Sequence, residues 1–224
     1  MPAPISVIVP TLNAAPQLQA CLAALMEGVE AGLIAELIVT DGGSTDETRV
    51  LAEAWGANFC EGPASRGGQL RRGCDMARGQ WLLILHADTV LAPGWTAAVD
   101  AHLWQARAGY FALRFDHGGR FVAGWANLRA RFLGLPYGDQ GLLIRRTLYD
   151  AVGGYQDIPL MEDVAMARAL SGQLQALDGV AVTSAAKYRH QGWIRRGARN
   201  LWTLLRYLSG ADTQALARAY RRER

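Results

Sequence analysis

Three scarcities narrow the reading before any motif is sought. Cysteine occurs only at Cys21, Cys60 and Cys74. An odd number without CxxC spacing argues against a disulfide framework or a four-cysteine zinc site and points to a reducing compartment. Lysine occurs once, at Lys187, and follows an alanine, so there is no Walker A loop. No two glycines are spaced i, i+2, which removes the GxGxxG dinucleotide fingerprint, and HExxH and GxSxG are missing too. No apolar run reaches the ~18 residues of a spanning helix. The first 26 residues lack Asp, Glu, Lys and Arg. Yet Pro2, Pro4, Pro10, Pro16, Asn13, Gln17 and Gln19 interrupt them and no basic stretch opens them, so neither a signal peptide nor a membrane span is expected. The expectation is a soluble, cytoplasmic protein, at most peripheral at the inner face of the membrane.

What is present suits one globular domain. The 224 residues fit one large unit at a prior of ~150 residues per domain. Half the residues are apolar and 19% are charged, an ordinary folded composition. The formal charge of +3 hides an asymmetry. Residues 1–112 hold 6 basic and 11 acidic groups, residues 113–224 hold 17 and 9, and the stretch from Lys187 on holds 10 and 2. That end either faces something anionic or is simply arginine-rich. No nucleic-acid-binding module accompanies it, so nucleic acid is not an expected partner.

Short apolar runs alternate with amphipathic stretches in the first half, the mark of βα units on a largely parallel sheet. Strands are expected at 5–10, 36–41, 58–61, 81–86, 109–115 and 141–145. Helices are expected at 17–27, from a capping box at Ser44–Glu47 to about Trp55, at 67–77, from near Pro93, and around 121–133, 161–170 and 193–208. The division expected is a donor half (1–112), an acceptor half (113–190) and a basic helical extension (191–224) within one domain.

Polar residues gather where the early strands end: Pro10-Thr11-Leu12-Asn13, then Asp41-Gly42-Gly43-Ser44-Thr45-Asp46, then His86-Ala87-Asp88-Thr89. Ligands bind outside strand C-termini in open α/β sheets, so three such ends suggest one crevice. Asp41, Ser44 and Asp46 could equally cap a helix, and Asp88 could equally start a turn. His86 and Asp88, at i and i+2, can reach one side of the sheet edge, where an acid beside a second donor atom suits Mg2+ or Mn2+ bridging two phosphates.

PTLN, DGGSTDET, LHADT and PLMEDV, supported by YGDQGLLIRR and VGGYQDIPLMED, together resemble a family 2 glycosyltransferase of GT-A fold. More narrowly, the chain is similar to the small bacterial group associated with radical-SAM and selenodomain proteins. The resemblance covers roughly residues 5–190 and implies an α/β GT-A domain with a mostly parallel central sheet flanked by helices. It implies an inverting transfer from a nucleoside-diphosphate sugar, commonly UDP-linked, to an acceptor hydroxyl, with Mn2+ or Mg2+ as cofactor. On that resemblance Pro10, Thr11, Asn13, Asp41 and Gly43 fall on the donor side, Asp41 at the base. Arg66 and Gln69 fall near the sugar and diphosphate, Asp88 at the metal, and Asp163 at the general base. Apart from the resemblance, the turn Gly138–Gly141 is read at the acceptor side with Asp139 and Gln140 as hydroxyl-binding candidates and Glu162 counted with them; a turn without a ligand role is the equal alternative there, and helix capping the alternative for Glu162-Asp163. Gly42 stands where a second acid is common. His86 replaces the first acid of DxD; counted here with the donor side, it is either a metal ligand or a hydrogen-bonded strand-end residue.

Two readings attach to 193–208. Ile194, Ala198, Leu201, Leu205 and Leu208 recur at helical spacing among Arg195, Arg196, Arg199 and Arg206. Such a helix either packs its apolar face on the sheet, the simpler expectation, or lies on an anionic membrane. Other functions considered are a nucleotidyltransferase, disfavoured because PTLNAAPQ has neither glycine nor lysine, and a nucleotide-sugar-binding protein with a degenerate site.

Overall fold

The computed structural model describes residues 3–222. Strands β1 (Ile5–Thr11), β2 (Ile34–Asp41), β3 (Asn58–Glu61), β4 (Trp81–Ile84), β5 (Thr89–Leu91), β6 (Ala108–Phe115), β7 (Leu142–Arg145) and β8 (Leu174–Thr183) form one sheet ordered β3-β2-β1-β4-β7-β6-β8-β5. The parallel expectation holds for β3-β2-β1-β4. At β7 the ladder turns antiparallel, Ile84 facing Leu142, and β6 pairs antiparallel with β7 and parallel with β8. The reversal places the start of β7 beside the end of β4. The C-terminal ends of β1, β2, β4, β6 and β8 therefore share one edge with the turn before β7.

The helices are α1 (Ala15–Glu30), α2 (Thr48–Ala54), α3 (Arg66–Met76), α4 (Trp95–His102), α5 (Arg120–Leu133), α6 (Arg146–Ala151), α7 (Glu162–Ala169), α8 (Ala186–Gln191), α9 (Trp193–Leu208) and α10 (Thr213–Arg222). Period-2 alternation along β1 sends Ile5, Val7 and Val9 into a core with Leu18, Leu22, Trp95 and Phe111, while Ile8 joins Leu70, Cys74, Leu82 and Tyr149 on the other face. A sheet buried on both faces explains why β1 and β4 read as continuous apolar runs. The buried Cys21 and Cys74 thiols belong to these layers, each pushed up to about 12 by burial.

Some expectations are corrected. The capping box does not form: α2 starts at Thr48, and Glu47 makes no side-chain cap. Ser44 is taken by Asp41, to which its Oγ donates at 2.5 Å, and it accepts from Asn13 N at 2.7 Å. Helix α4 starts beyond Pro93, after a left-handed Gly94, because the Glu27 carboxylate accepts from the Gly94 and Thr96 amides there. The sequence pattern does not predict strands β5 and β8 or helices α6 and α8, whereas α10 falls within the helical extension expected at 191–224. The proposed boundary at 112 falls inside β6. Among the described residues no helix is long and apolar enough to cross a membrane.

The simplest expectation for α9 is also reversed. Its bounds agree with the sequence pattern, but it turns Arg196, Thr203 and Leu204 inward and leaves Ile194, Leu201, Leu205 and Leu208 exposed. Leu204 anchors it against Leu135, Val164 and Ala167; Leu216 of α10 packs on Leu160. Arg196 is accommodated by a bond to Gln191 Oε1 at 2.8 Å and by the Tyr188 ring.

Candidate active site

Chain order runs β1, β2, β3 outward and then returns to β4 on the other side of β1. The crevice at this switch point is where a ligand is expected. Two cavities open there. The first is lined by Pro10, Thr11, Asn13, Gln69 and Glu162; the second by Tyr137, Asp139, Asp163, Tyr188, Arg196 and Tyr220. Arg66, His86 and Asp88 line both. The structure thus brings Pro10, Thr11, Asn13, Arg66, Gln69, His86, Asp88, Asp139, Glu162 and Asp163 to one edge. Glu162 lines the first cavity and not the second.

Asp41, Gly43 and Gln140 line neither cavity. Asp41 is buried, and both its oxygens are occupied. Oδ1 accepts from Thr11 Oγ1 (2.8 Å) and Ser44 Oγ, and Oδ2 from the Gly43 (2.7 Å) and Ser44 (2.6 Å) amides. Burial raises its pKa, but these donors more than offset that and hold the carboxyl below its usual range. Gly43, at φ 90°, is the donor that closes this loop. Asp46 and Thr48 perform a related task for α1, accepting from the Ala15 and Ala14 amides that α1 has no capping side chain to satisfy. DGGSTDET is therefore a strut joining two loops. A base contact by Asp41 would require one of these bonds to be exchanged.

Gln140 is fully buried, its Nε2 donating to Phe111 O at 3.1 Å. It does not line the second cavity, and by accepting from Tyr137 N it fixes the turn that presents Asp139 there. Gln69 lines the first cavity, yet both amide hydrogens go to backbone: Thr11 O at 2.7 Å and Thr40 O at 2.9 Å. It clamps the ends of β1 and β2 together.

The wall shared by the cavities carries the charge. Arg66 opens α3, where Ser65 caps the helix, and its guanidinium lies 3.7 Å from Glu162. Burial works against its charge, but Glu162, Asp163 and Asp88 offset it. Glu162 is 1% exposed with no hydrogen bond to either oxygen, so burial pushes its pKa well up, with Arg66 opposing and Asp163 adding. Asp163 lines the second cavity, where its Oδ2 accepts from Gly138 N at 2.9 Å and its Oδ1 from Val164 N at 2.7 Å. Both acids stand in the first turn of α7, where the helix dipole favours them. The residue before them, Met161, has φ 66°. Left-handed backbone at a non-glycine costs energy and clusters at functional sites, and Asn13 (φ 49°) is the other described example.

Gly138 comes so close to His86 that an added Cβ would stand 2.3 Å from the ring Nε2. Among the described residues no three His, Cys, Asp or Glu side chains form a metal cage. A cation riding on a diphosphate needs only one or two protein carboxylates. Asp88 and His86 on one wall, with the orphaned Glu162 carboxylate nearby, fit that requirement.

Reading motifs missed much of the second cavity's wall: Phe115, Tyr137, Tyr188, Arg196, Asn200 and Tyr220. Several come from the basic segment, where the clue was Arg196, Arg199 and Asn200 lying opposite the apolar stripe.

Residues 6–156 match the sequence model of the glycosyl transferase family 2. This chain belongs to that family. A relative from Mycobacterium tuberculosis, the "PGL/p-HBAD biosynthesis glycosyltransferase", is 40% identical over 93 residues, covering 38% of this chain and 36% of the relative. The chain thus matches little more than a third of that relative's length. The mannosyltransferase PcManGT from Pyrobaculum calidifontis, solved with GDP-Man and Mn2+, superposes with a TM-score of 0.70 at 21% identity over 96% of this chain and 69% of that one. Glucosyl-3-phosphoglycerate synthase from Mycobacterium tuberculosis, solved with Mn2+ and UDP-glucose, gives 0.62 at 19% identity over 93% and 80%. The fold is GT-A, a mixed α/β sheet flanked by helices.

Proposed function

We propose that this protein transfers a sugar from a nucleoside-diphosphate sugar, with a UDP-linked donor the first to test, to an acceptor hydroxyl with inversion. The observation that carries the reading is the pair of cavities meeting at Arg66, His86 and Asp88, with Asp163 on the far side. An in-line displacement needs this layout: a leaving diphosphate on one side of the anomeric carbon and a base on the other. Asp163, oriented by the Gly138 and Val164 amides, accepts the hydroxyl proton as the new bond forms. Arg66 meets the negative charge that gathers on the departing diphosphate. Asp88, with His86 beside it, is where Mn2+ or Mg2+ would be held, supplying further charge neutralisation at that diphosphate. Two solved structures of the same fold, bound to UDP-glucose or GDP-Man with Mn2+, support a nucleotide-sugar donor.

Calorimetry with UDP, GDP, CDP and dTDP, with and without Mn2+, tests the donor half. One nucleotide should bind with the metal, and Asp88→Asn should lose that dependence. Asp163→Asn should lower turnover by about 10²–10⁴-fold while donor affinity stays unchanged. Turnover retained in that variant would remove Asp163 as the base.

A further inference from the structure

Helices α5 and α9 both expose apolar faces. Helix α5 turns Ala123, Ala126, Arg129 and Ala130 inward and leaves Phe121 95%, Trp125 51% and Phe132 71% exposed. On α9, Ile194 is 88% and Trp202 64% exposed, with Leu201, Leu205 and Leu208 beside them. Large apolar side chains gathered in this way mark a surface that something covers. The two faces adjoin: Trp125 and Leu201 line one groove, together with Arg129, Tyr137, Asp139 and Asn200. Tyr137, Asp139 and Asn200 also line the acceptor cavity, so the groove leads from the apolar face toward Asp163. Arg129 is 6% exposed, and its Nη2 has no hydrogen-bond partner.

Charge decides between occupants. Arg120, Arg131 and Arg195 are exposed along the same two helices, and the chain from Lys187 on is strongly basic. A second copy would bring these arginines against their own kind, whereas an anionic bilayer offers apolar depth and opposite charge together. We propose that the α5–α9 face seats on an anionic lipid surface and that the groove admits the polar head of a membrane-embedded acceptor. Arg129 Nη2 then donates to an oxygen of that head. The acceptor part rests on the transferase reading above; the docking part does not.

The test uses the full chain and vesicles of phosphatidylcholine with or without phosphatidylglycerol at low salt. The protein should sediment with the anionic vesicles, and brominated lipid should quench its tryptophan emission. The exposed triple substitution Phe121→Ser, Ile194→Ser, Trp202→Ser should weaken binding by about tenfold or more with melting temperature and UDP binding unchanged. Dodecyl phosphate should bind more tightly than inorganic phosphate, and Leu201→Trp, which fills the groove mouth, should abolish that preference. No sedimentation with either vesicle while UDP binds would overturn the docking and leave the transferase reading intact. A dimer in light scattering that the triple substitution splits, without vesicle binding, would assign the face to a second copy and overturn the proposal. Equal affinity for the two phosphates would overturn the groove's role. Vesicle binding without nucleotide binding would support the docking and sink the transferase reading.

Discussion

Asp139 shows how one side chain carries both a cost and a task. Burial pushes its carboxyl from 3.8 to about 6, with Arg129 opposing and Asp163 and Asp88 adding, and its Oδ1 has no hydrogen-bond partner. A carboxyl that holds its proton more tightly when folded stabilises the protein fully below about pH 4, and that contribution is lost as pH rises through 6. Asp139→Asn should therefore stabilise the fold by about 1–3 kcal/mol at pH 7.5 and by little near pH 4, as measured by urea unfolding at the two values. A cavity-lining carboxyl that costs stability at neutral pH is a candidate for a functional charge. Single residues were also where the sequence misled. Asp41 and Gln140 read as ligand candidates, yet Asp41 accepts from the Gly43 and Ser44 amides of its own loop and from the Thr11 hydroxyl on β1, and Gln140 donates to Phe111 O on β6. Asp88 and Asp163 look the same in the sequence and do line the cavity. Which polar residue faces inward is set by partners across the fold, and one chain read linearly does not reveal them.

At the scale of elements, the junction of α3 with the loop before α7 holds the two cavities in register. Gly67 N donates to Ile158 O at 3.0 Å, and an added Cβ would meet Gln156 O at 1.9 Å. Gly67→Ala should push the helix start away, cost about 1–3 kcal/mol, and weaken donor binding through Arg66. Thermal melts and nucleotide titration of the variant check both. The early βα units were legible because β1 and β4 are buried on both faces and α1 carries a clear apolar stripe of Leu18, Cys21, Leu22 and Leu25. Strand β8 was not, because Asp178-Gly179 reads as a turn. In the structure that dipeptide is an irregularity within the strand: Tyr110 pairs with Ala176 but Ala112 with Val180, so β8 carries extra residues opposite β6. Helix α9 was legible in its bounds and illegible in its orientation. Periodicity shows that a helix has two faces and leaves open which one the protein keeps.

Over the whole molecule, the segment 191–222 contributes to the cavity that Asp163 lines, through Arg196, Asn200 and Tyr220. Leu216, 1% exposed against Leu160, is one of the anchors. Leu216→Ala should cost about 2–5 kcal/mol of local stability and speed tryptic cleavage at Arg206 while the sheet's protease resistance is unchanged. The order of the sheet also constrains synthesis. Strand β4 can join β1 as soon as it emerges, but its other edge waits for β7, since Ile84 pairs with Leu142. At ribosomal speeds of ~5–20 residues per second, the roughly 60 intervening residues leave that edge open for about 3–12 seconds. During that interval Leu82 and Leu83 belong to an unfinished sheet able to pair with a neighbouring nascent chain. High-level expression of this fold should thus be limited by crowding on the polysome, a vulnerability that ends once β7 arrives.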